Sequence, residues 1–199
     1  MIKLSLDLVF LFFRAFFRLF NRIEVEGLDK IPVDGPLIIA CNHLSLADPP
    51  ALLSHTALVR RVNVMAKKEL FGIPVLGWFI LRWGAIPVDR KREGGDLGAL
   101  RASLGALKRN GLLAIFPEGT RAKGGSRLPA KTGVAFLAHK SGAPVLTARI
   151  FNSDNFAKLG KIRIKYGRLH RFEPAAGEDL KAAYTRFSEG LMDDIFSIT

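Results

Sequence analysis

Short apolar runs alternate with longer amphipathic stretches along most of this chain. The predicted strands are the runs 37–40, 62–66, 85–88, 112–116, 145–150 and 162–166. The predicted helices cover 50–55, a stretch capped by Asp96, 132–141 and 180–195. Strands that alternate with helices at this spacing predict a single α/β domain with a mostly parallel sheet flanked by helices.

The first 23 residues have a different pattern, with phenylalanine and leucine crowded around a few charged side chains. On a helical wheel the charged positions share an arc of about 100°, and they are Lys3, Asp7, Arg14, Arg18 and Arg22. Asp7 and Arg14 interrupt the apolar run before it reaches the roughly 20 residues that a spanning helix needs. We expect residues 1–23 to form an amphipathic helix at a membrane interface, ahead of a domain over 24–199. The alternative is an amphipathic helix docked on the core of that domain.

Charge and composition narrow the choice of partner. The chain has 199 residues, 49% of them hydrophobic, and a net charge of +12. This charge favours an acidic partner, and the scattered basic residues favour a membrane surface with anionic lipids over nucleic acid. Cys41 is the single cysteine, so no intramolecular disulfide can form and a reducing compartment is the simplest setting. We expect a monotopic or peripheral membrane protein on the cytoplasmic face. No set of residues has the spacing typical of zinc ligands, so no metal site is predicted.

A histidine and an aspartate follow the first strand of the predicted sheet. His43 lies on a turn after the apolar run 37–40, and Asp48 precedes two prolines that suit the first turn of a helix. We expect Asp48 to be the N-cap of that helix and the turn to bring its carboxylate against the imidazole. Such a pair can take a proton from an attacking hydroxyl. The three other histidines, His55, His139 and His170, have no aspartate at this offset.

A second polar segment, Pro117-Glu118-Gly119-Thr120-Arg121, follows the apolar run 112–116. Glycine lets a backbone approach a ligand closely, and arginine can clamp a phosphate through two parallel hydrogen bonds. Glu118 could orient Arg121 or accept a hydrogen bond from a glycerol hydroxyl. Arg90 and Lys67, each just past a predicted strand, could complete a cationic pocket at the same sheet edge. The alternative for these two side chains is that they are solvated surface charges.

These segments resemble four sequence blocks of the glycerolipid acyltransferases, and specifically of the 1-acylglycerol-3-phosphate acyltransferases. The corresponding residues are 42–48 (NHxxxxD), 84–90 (a Gly-to-Arg segment), 116–121 (FPEGTR) and 143–148 (an apolar segment). The third block matches in full. The fourth has Thr147 where a second proline is common, and Ala122 follows the third block where serine is common.

The resemblance implies a glycerol-3-phosphate acyltransferase-like fold and transfer of a fatty acyl group to the sn-2 hydroxyl of lysophosphatidate, which makes phosphatidate. The donor would be acyl-CoA or acyl-carrier protein, with no other cofactor. His43 would remove the hydroxyl proton and Asp48 would orient the imidazole. The phosphate would be held by Arg121, Arg90 and Lys67.

Three other functions fit the same residues. The first is acyl transfer to another lyso-lipid, such as a lyso-ornithine lipid or another lysophospholipid. The second is a thioesterase-like hydrolysis in which His43 activates water. The third is a non-catalytic membrane protein that binds lipid, whose function would not change when His43 is replaced.

Overall fold

The structure is a computed structural model that describes residues 2–89, 96–122 and 126–199, with side chains from Leu8 onward. The strands are β1 (Glu24–Glu26), β2 (Leu37–Cys41), β3 (Val62–Lys67), β4 (Ala85–Val88), β5 (Leu112–Ile115), β6 (Val145–Phe151) and β7 (Arg163–His170). The helices are α1 (Ile2–Phe20), α2 (Asp48–Thr56), α3 (Leu76–Arg82), α4 (Leu97–Lys108), α5 (Gly133–Ser141) and α6 (Leu180–Ser197).

In the described residues, seven strands form one sheet in the order β1-β7-β6-β2-β5-β3-β4. The neighbouring pairs are parallel, except that β7 runs antiparallel to β6. The predicted α/β domain with a mostly parallel sheet is therefore confirmed. The short strand β1 was not predicted, because its Glu-Val-Glu sequence has little apolar content and it is held by pairing with β7.

Strand β2 lies at the centre of the sheet, and all five of its residues are buried. Alternate side chains enter two separate apolar layers. Leu37, Ile39 and Cys41 pack on the face that α1 and α2 cover, whereas Ile38 and Ala40 pack on the face that α4, α5 and α6 cover. A strand buried on both faces is apolar throughout, which is why this sequence run predicted its position well.

Helix α1 docks on the domain through one face. Phe10 and Phe17 are buried in the same apolar layer as β2, and α1 packs against α2. Part of the opposite face remains apolar and exposed, at Leu8, Leu11, Phe12 and Leu19. In the part of the chain that the structure describes, no helix combines the length and the hydropathy needed to cross a bilayer.

Helix α6 is fastened to the sheet by a buried carboxylate. Asp194 accepts hydrogen bonds from the Thr147 hydroxyl (2.7 Å), from His170 Nε2 (3.0 Å) and from the Arg168 guanidinium. His170 therefore does have an aspartate partner, which its sequence neighbourhood could not show because Asp194 lies 24 residues away. Burial by itself raises the pKa of Asp194, but the hydrogen bonds from Thr147, His170 and Arg168 bring it below its ordinary value.

Replacing Asp194 by asparagine is expected to lower the free energy of unfolding by about 2–4 kcal/mol at neutral pH. The asparagine side chain has one acceptor oxygen where the carboxylate has two, so either Arg168 or the pair Thr147 and His170 loses its acceptor. A depressed pKa means that the carboxylate stabilises the fold fully above the ordinary aspartate pKa. This stabilisation is lost as the pH falls through the lower folded-state value. Urea unfolding at neutral and acidic pH should show the difference between variant and parent shrinking with acid. Asp193→Asn, which removes an exposed partner of Arg127, is the control, and we expect less than about 1 kcal/mol there.

Candidate active site

A histidine and an aspartate form a buried pair at the carboxyl end of β2. His43 Nδ1 lies 2.7 Å from Asp48 Oδ2, and both residues are buried. The same carboxylate oxygen accepts the backbone N–H groups of Leu44 at 2.6 Å and Ser45 at 2.8 Å. The expected contact between imidazole and carboxylate is present. One oxygen of Asp48 thus both shapes the turn and fixes the orientation of the imidazole.

The prediction that Asp48 caps α2 was wrong. The N-cap is Ala47, and Asp48 is the first residue of the helix. The physical reason is the direction of the carboxylate, which turns back to the N–H groups of Leu44 and Ser45 and does not reach forward along the helix. Proline at the start of α2 compensates in part, because it has no N–H group that a cap would need to satisfy.

The segment after β5 holds the backbone of His43 on both sides. The His43 N–H donates to Glu118 Oε2 at 2.8 Å, and the Ala122 N–H donates to the His43 carbonyl at 2.7 Å. Glu118 is buried, and its other oxygen accepts the Leu128 N–H at 3.4 Å. Burial raises the pKa of Glu118, while the N–H groups of His43 and Leu128 act in the opposite direction. The hydrogen bonds of Glu118 thus position His43. In the described residues they do not reach Arg121, whose orientation was one of the two roles that the sequence offered for Glu118.

Two further side chains support the histidine. The Phe116 ring stacks on the imidazole with 4.3 Å between ring centroids and 23° between planes. The Asn42 amide accepts the Ile150 N–H at 2.8 Å and donates to the Ile150 carbonyl at 3.0 Å, as a peptide group of a paired strand would. The sequence alone predicts no role for Phe116 or Asn42, because the partner of each is distant along the chain. The available signal was their position within the NHxxxxD and FPEGTR blocks.

The bonding of the pair decides which ring nitrogen is reactive. Because Nδ1 of His43 donates to the Asp48 carboxylate, Nε2 is the nitrogen with a free lone pair. Cys41 is fully buried, and its pKa is raised by burial and then by the negative charge of Asp48, so the thiol is held protonated. The Ser45 hydroxyl accepts the Ala47 N–H at 3.0 Å. The arrangement therefore suits a general base that activates a hydroxyl of a bound molecule.

The other predicted binding residues lie at the same edge of the sheet. Lys67 ends β3, which is next to β5, and its ammonium lies 3.5 Å from Glu69 Oε1. Thr120 and Arg121 are exposed and lie directly before Ala122, the residue whose N–H reaches His43. Arg90 lies outside the described residues.

Gly119, also predicted to bind, has a φ of +68°, in the left-handed region that favours glycine. A Cβ atom at this position would come within 2.8 Å of the Lys131 side chain. Glycine therefore allows the tight turn of the 116–121 segment and the close approach of the Lys131 side chain.

An apolar groove of about 760 Å³ begins at this turn and runs along the α4 and α5 face of the sheet. Its walls include Met65, Leu100, Ile115, Phe116, Val134 and Phe136. Gly119 and Lys131 lie at its polar side. Phe116 therefore lines the groove and also stacks on the imidazole of His43. Volumes of this size accommodate a long small-molecule chain.

The fold and the site together define a class of protein: an α/β domain with a buried His–Asp pair at the carboxyl edge of its sheet, beside basic side chains and an apolar groove. The family model named Acyltransferase matches residues 22–151. The chain belongs to the acyltransferase family.

Individual relatives carry more specific names. The chain is 30% identical over 153 residues to the 1-acyl-sn-glycerol-3-phosphate acyltransferase of Bacillus subtilis, covering 75% of this chain and 74% of that protein. It is 30% identical over 142 residues to a chloroplastic enzyme of the same name from Brassica napus, covering 71% of this chain. The chain spans only 40% of the length of that plant relative. The crystal structure of the 1-acyl-sn-glycerophosphate (LPA) acyltransferase PlsC from Thermotoga maritima superposes with a TM-score of 0.72 at 28% identity, covering 98% of this chain and 81% of that one.

Proposed function

We propose that this protein transfers a fatty acyl group from acyl-CoA or acyl-carrier protein to the sn-2 hydroxyl of lysophosphatidate and so forms phosphatidate. The observation that carries the proposal is the 2.7 Å contact between His43 Nδ1 and Asp48, which leaves Nε2 free as a base. The names of the Bacillus and Brassica relatives support the choice of acceptor.

In this reaction Nε2 of His43 takes the proton of the acceptor hydroxyl while the hydroxyl oxygen attacks the thioester carbonyl. The tetrahedral intermediate collapses with loss of the thiolate, which receives that proton from the imidazolium. Asp48 stabilises the imidazolium through Nδ1 and keeps the ring oriented. The acyl group passes directly from the thioester sulfur to the acceptor oxygen, so the reaction needs no covalent acyl-enzyme.

The acceptor phosphate is assigned to Arg121 and Lys67, together with Arg90. Arg121 is one residue from the N–H that binds the His43 carbonyl, so a phosphate held there is close to the base. Lys67 approaches from the end of β3. A headgroup fixed by such cations restricts the neighbouring hydroxyl, and positioning of this kind contributes several kcal/mol to catalysis (roughly 7–11 at most).

The acyl chain of the donor is assigned to the apolar groove on the α4 and α5 face. The groove begins at Phe116 and Gly119, beside the turn that holds His43. A thioester at this turn would have its carbonyl near the imidazole and its chain among Leu100, Val134 and Phe136. Burial of such a chain is favourable by about 0.8 kcal/mol per methylene group.

Residues 1–23 are proposed to be a membrane-interface helix, ahead of the acyltransferase domain over 24–199, on the cytoplasmic face of an anionic membrane. The exposed apolar side chains Leu8, Leu11, Phe12 and Leu19 lie on the side of α1 opposite Phe10 and Phe17. A helix that only docked on the core would have a polar outer face. Its apolar outer face, with arginines along one edge, suits a position among lipid headgroups.

The proposal is tested by following phosphatidate formation with lysophosphatidate and either donor. We expect Arg121→Gln to raise KM for lysophosphatidate about tenfold and to change kcat little, because a charge-assisted phosphate contact is lost. Arg109→Gln is the control, since Arg109 is an exposed arginine that follows α4 and precedes β5, at the opposite end of the strands.

Monoacylglycerol, which has no phosphate, separates the possible outcomes. An equal loss with this acceptor would contradict the phosphate role of Arg121. Turnover only with another lyso-lipid would move the assignment to that acceptor. Release of free fatty acid without any acceptor product would indicate a hydrolase.

A further inference from the structure

The segment 73–81, between β3 and β4, exposes much apolar surface. The exposed fractions are 46% for Ile73, 69% for Val75, 40% for Leu76, 51% for Trp78 and 58% for Leu81. Single exposed apolar residues are ordinary, but five within nine positions form a patch of the kind that marks an interaction surface. Neither the His–Asp pair nor the groove uses these side chains.

The backbone of this segment makes a tight turn at Val75. Val75 has φ 65° and ψ −57°, and the Leu76 N–H donates to the Pro74 carbonyl at 2.7 Å. This is a γ-turn with positive φ, a strained conformation for a β-branched residue. Because β3 ends at the carboxyl edge of the sheet, the segment 73–81 begins at the same edge as His43.

The segment 73–81 is joined to the outer helix by aromatic stacking. Trp83, directly after α3, stacks with Phe10 at 5.5 Å and meets Phe13 edge-on at 5.8 Å. Both phenylalanines belong to α1, whose outer face is itself apolar and exposed. The segment and α1 therefore lie side by side on the same face of the sheet, on the α1 and α2 side.

Charge identifies the partner of this surface. The Arg82 guanidinium lies over the Trp78 ring, 4.6 Å from its centroid, and the chain has a net charge of +12. A tryptophan with an arginine over its ring combines an apolar body with a positive charge, which suits the boundary between acyl chains and headgroups. A protein partner would need a shaped complement, whereas an anionic bilayer fits both the apolar patch and the positive charge.

We propose that the segment 73–81 inserts into the surface of an anionic bilayer as a second membrane contact beside α1. Trp78, Val75 and Leu81 enter the interface, and Arg82 contacts lipid phosphates. The contact holds the carboxyl edge of the sheet against the membrane from which the acceptor comes. This inference rests on the lipid acyl transfer proposed above, but its test requires no turnover.

The two tryptophans of the chain provide the test. Trp83→Phe leaves Trp78 as the single fluorophore, and it removes an indole N–H that has no hydrogen-bond partner in the described residues. Trp78→Phe leaves Trp83. With vesicles of phosphatidylcholine and phosphatidylglycerol that carry brominated acyl chains, we expect the Trp83→Phe protein to lose most of its emission and the Trp78→Phe protein to keep most of its own. Binding without quenching of Trp78, or no binding, would overturn the proposal.

A matched pair of leucines measures the strength of the contact. Leu81 is 58% exposed in the segment, and Leu180 is 39% exposed at the start of α6, which packs on the other face of the sheet. Leu81→Glu is expected to weaken vesicle binding about tenfold, because an apolar side chain leaves the interface and a negative charge enters it. Leu180→Glu should leave vesicle binding within about twofold. Equal losses for the two variants would show that charge alone governs binding, and would overturn the assigned surface.

Discussion

Replacing His43 by alanine is expected to lower kcat for phosphatidate formation by about 10²–10⁴-fold, because the acceptor hydroxyl loses its proposed base. Only Nε2 of this residue is free to act, since Nδ1 is bonded to Asp48. KM for lysophosphatidate should change little, because the phosphate contacts remain. Initial rates with purified protein in detergent micelles, at several acceptor concentrations, separate the two parameters.

The chain contains a matched control for this variant. His170 is also hydrogen-bonded to an aspartate, Asp194, but it lies at the end of β7, away from the 116–121 segment. His170→Ala should keep kcat within about threefold of the parent, since it lies outside the site. Equal loss of activity in both variants would indicate general destabilisation. Full activity of His43→Ala would exclude the imidazole as the base.

Replacing Asp48 by asparagine is expected to lower kcat by up to about 10⁴-fold, the loss seen when asparagine replaces the aspartate of a serine-protease triad. The asparagine oxygen can still accept the N–H groups of Leu44 and Ser45, so the turn is kept. Its amino group would occupy the place of Oδ1, which is buried without a hydrogen-bond partner in the described residues. The negative charge that stabilises the imidazolium is lost.

Asp48→Ala separates charge from structure. Alanine removes the acceptor for three donors, so it should also lower the free energy of unfolding by roughly 2–4 kcal/mol. Kinetics and urea unfolding of both variants give the comparison. If Asp48→Asn kept the parent kcat, the carboxylate would have only a structural role in the turn.

The sequence predicted the parts of the fold whose stabilisation is local or fully apolar. The run 37–40 was assigned correctly as a buried strand because both of its faces meet apolar layers. Strand β1 was missed because Glu24 and Glu26 are exposed and the strand exists through its pairing with β7, more than a hundred residues later. The length of β7 was underestimated from sequence for the same reason, namely that its extent depends on pairing with another strand. β7 continues to His170 because it pairs with β6 over that distance.

In the candidate site, too, contacts between residues close in sequence could be predicted, whereas contacts between distant segments could not. His43 and Asp48 could be paired from sequence because five residues separate them and a turn can close between them. The role of Glu118 could not be inferred, because its partner lies 75 positions away and is a backbone group. The stacking of Phe116 on the imidazole likewise depends on β2 and β5 being neighbours. Sequence motifs predicted the pairing of His43 with Asp48, and the strand order determined which other groups surround the pair.

The two layers on either face of the sheet have a kinetic consequence. The groove lies on the α4 and α5 face, whereas α1 and the segment 73–81 lie on the other. In the proposed reaction the donor then arrives from bulk water while the acceptor stays in the lipid phase. The rate should follow surface-dilution behaviour, in which the mole fraction of lysophosphatidate in the bilayer, and not its bulk concentration, sets saturation. Adding inert lipid would slow such an enzyme without any inhibitor being present.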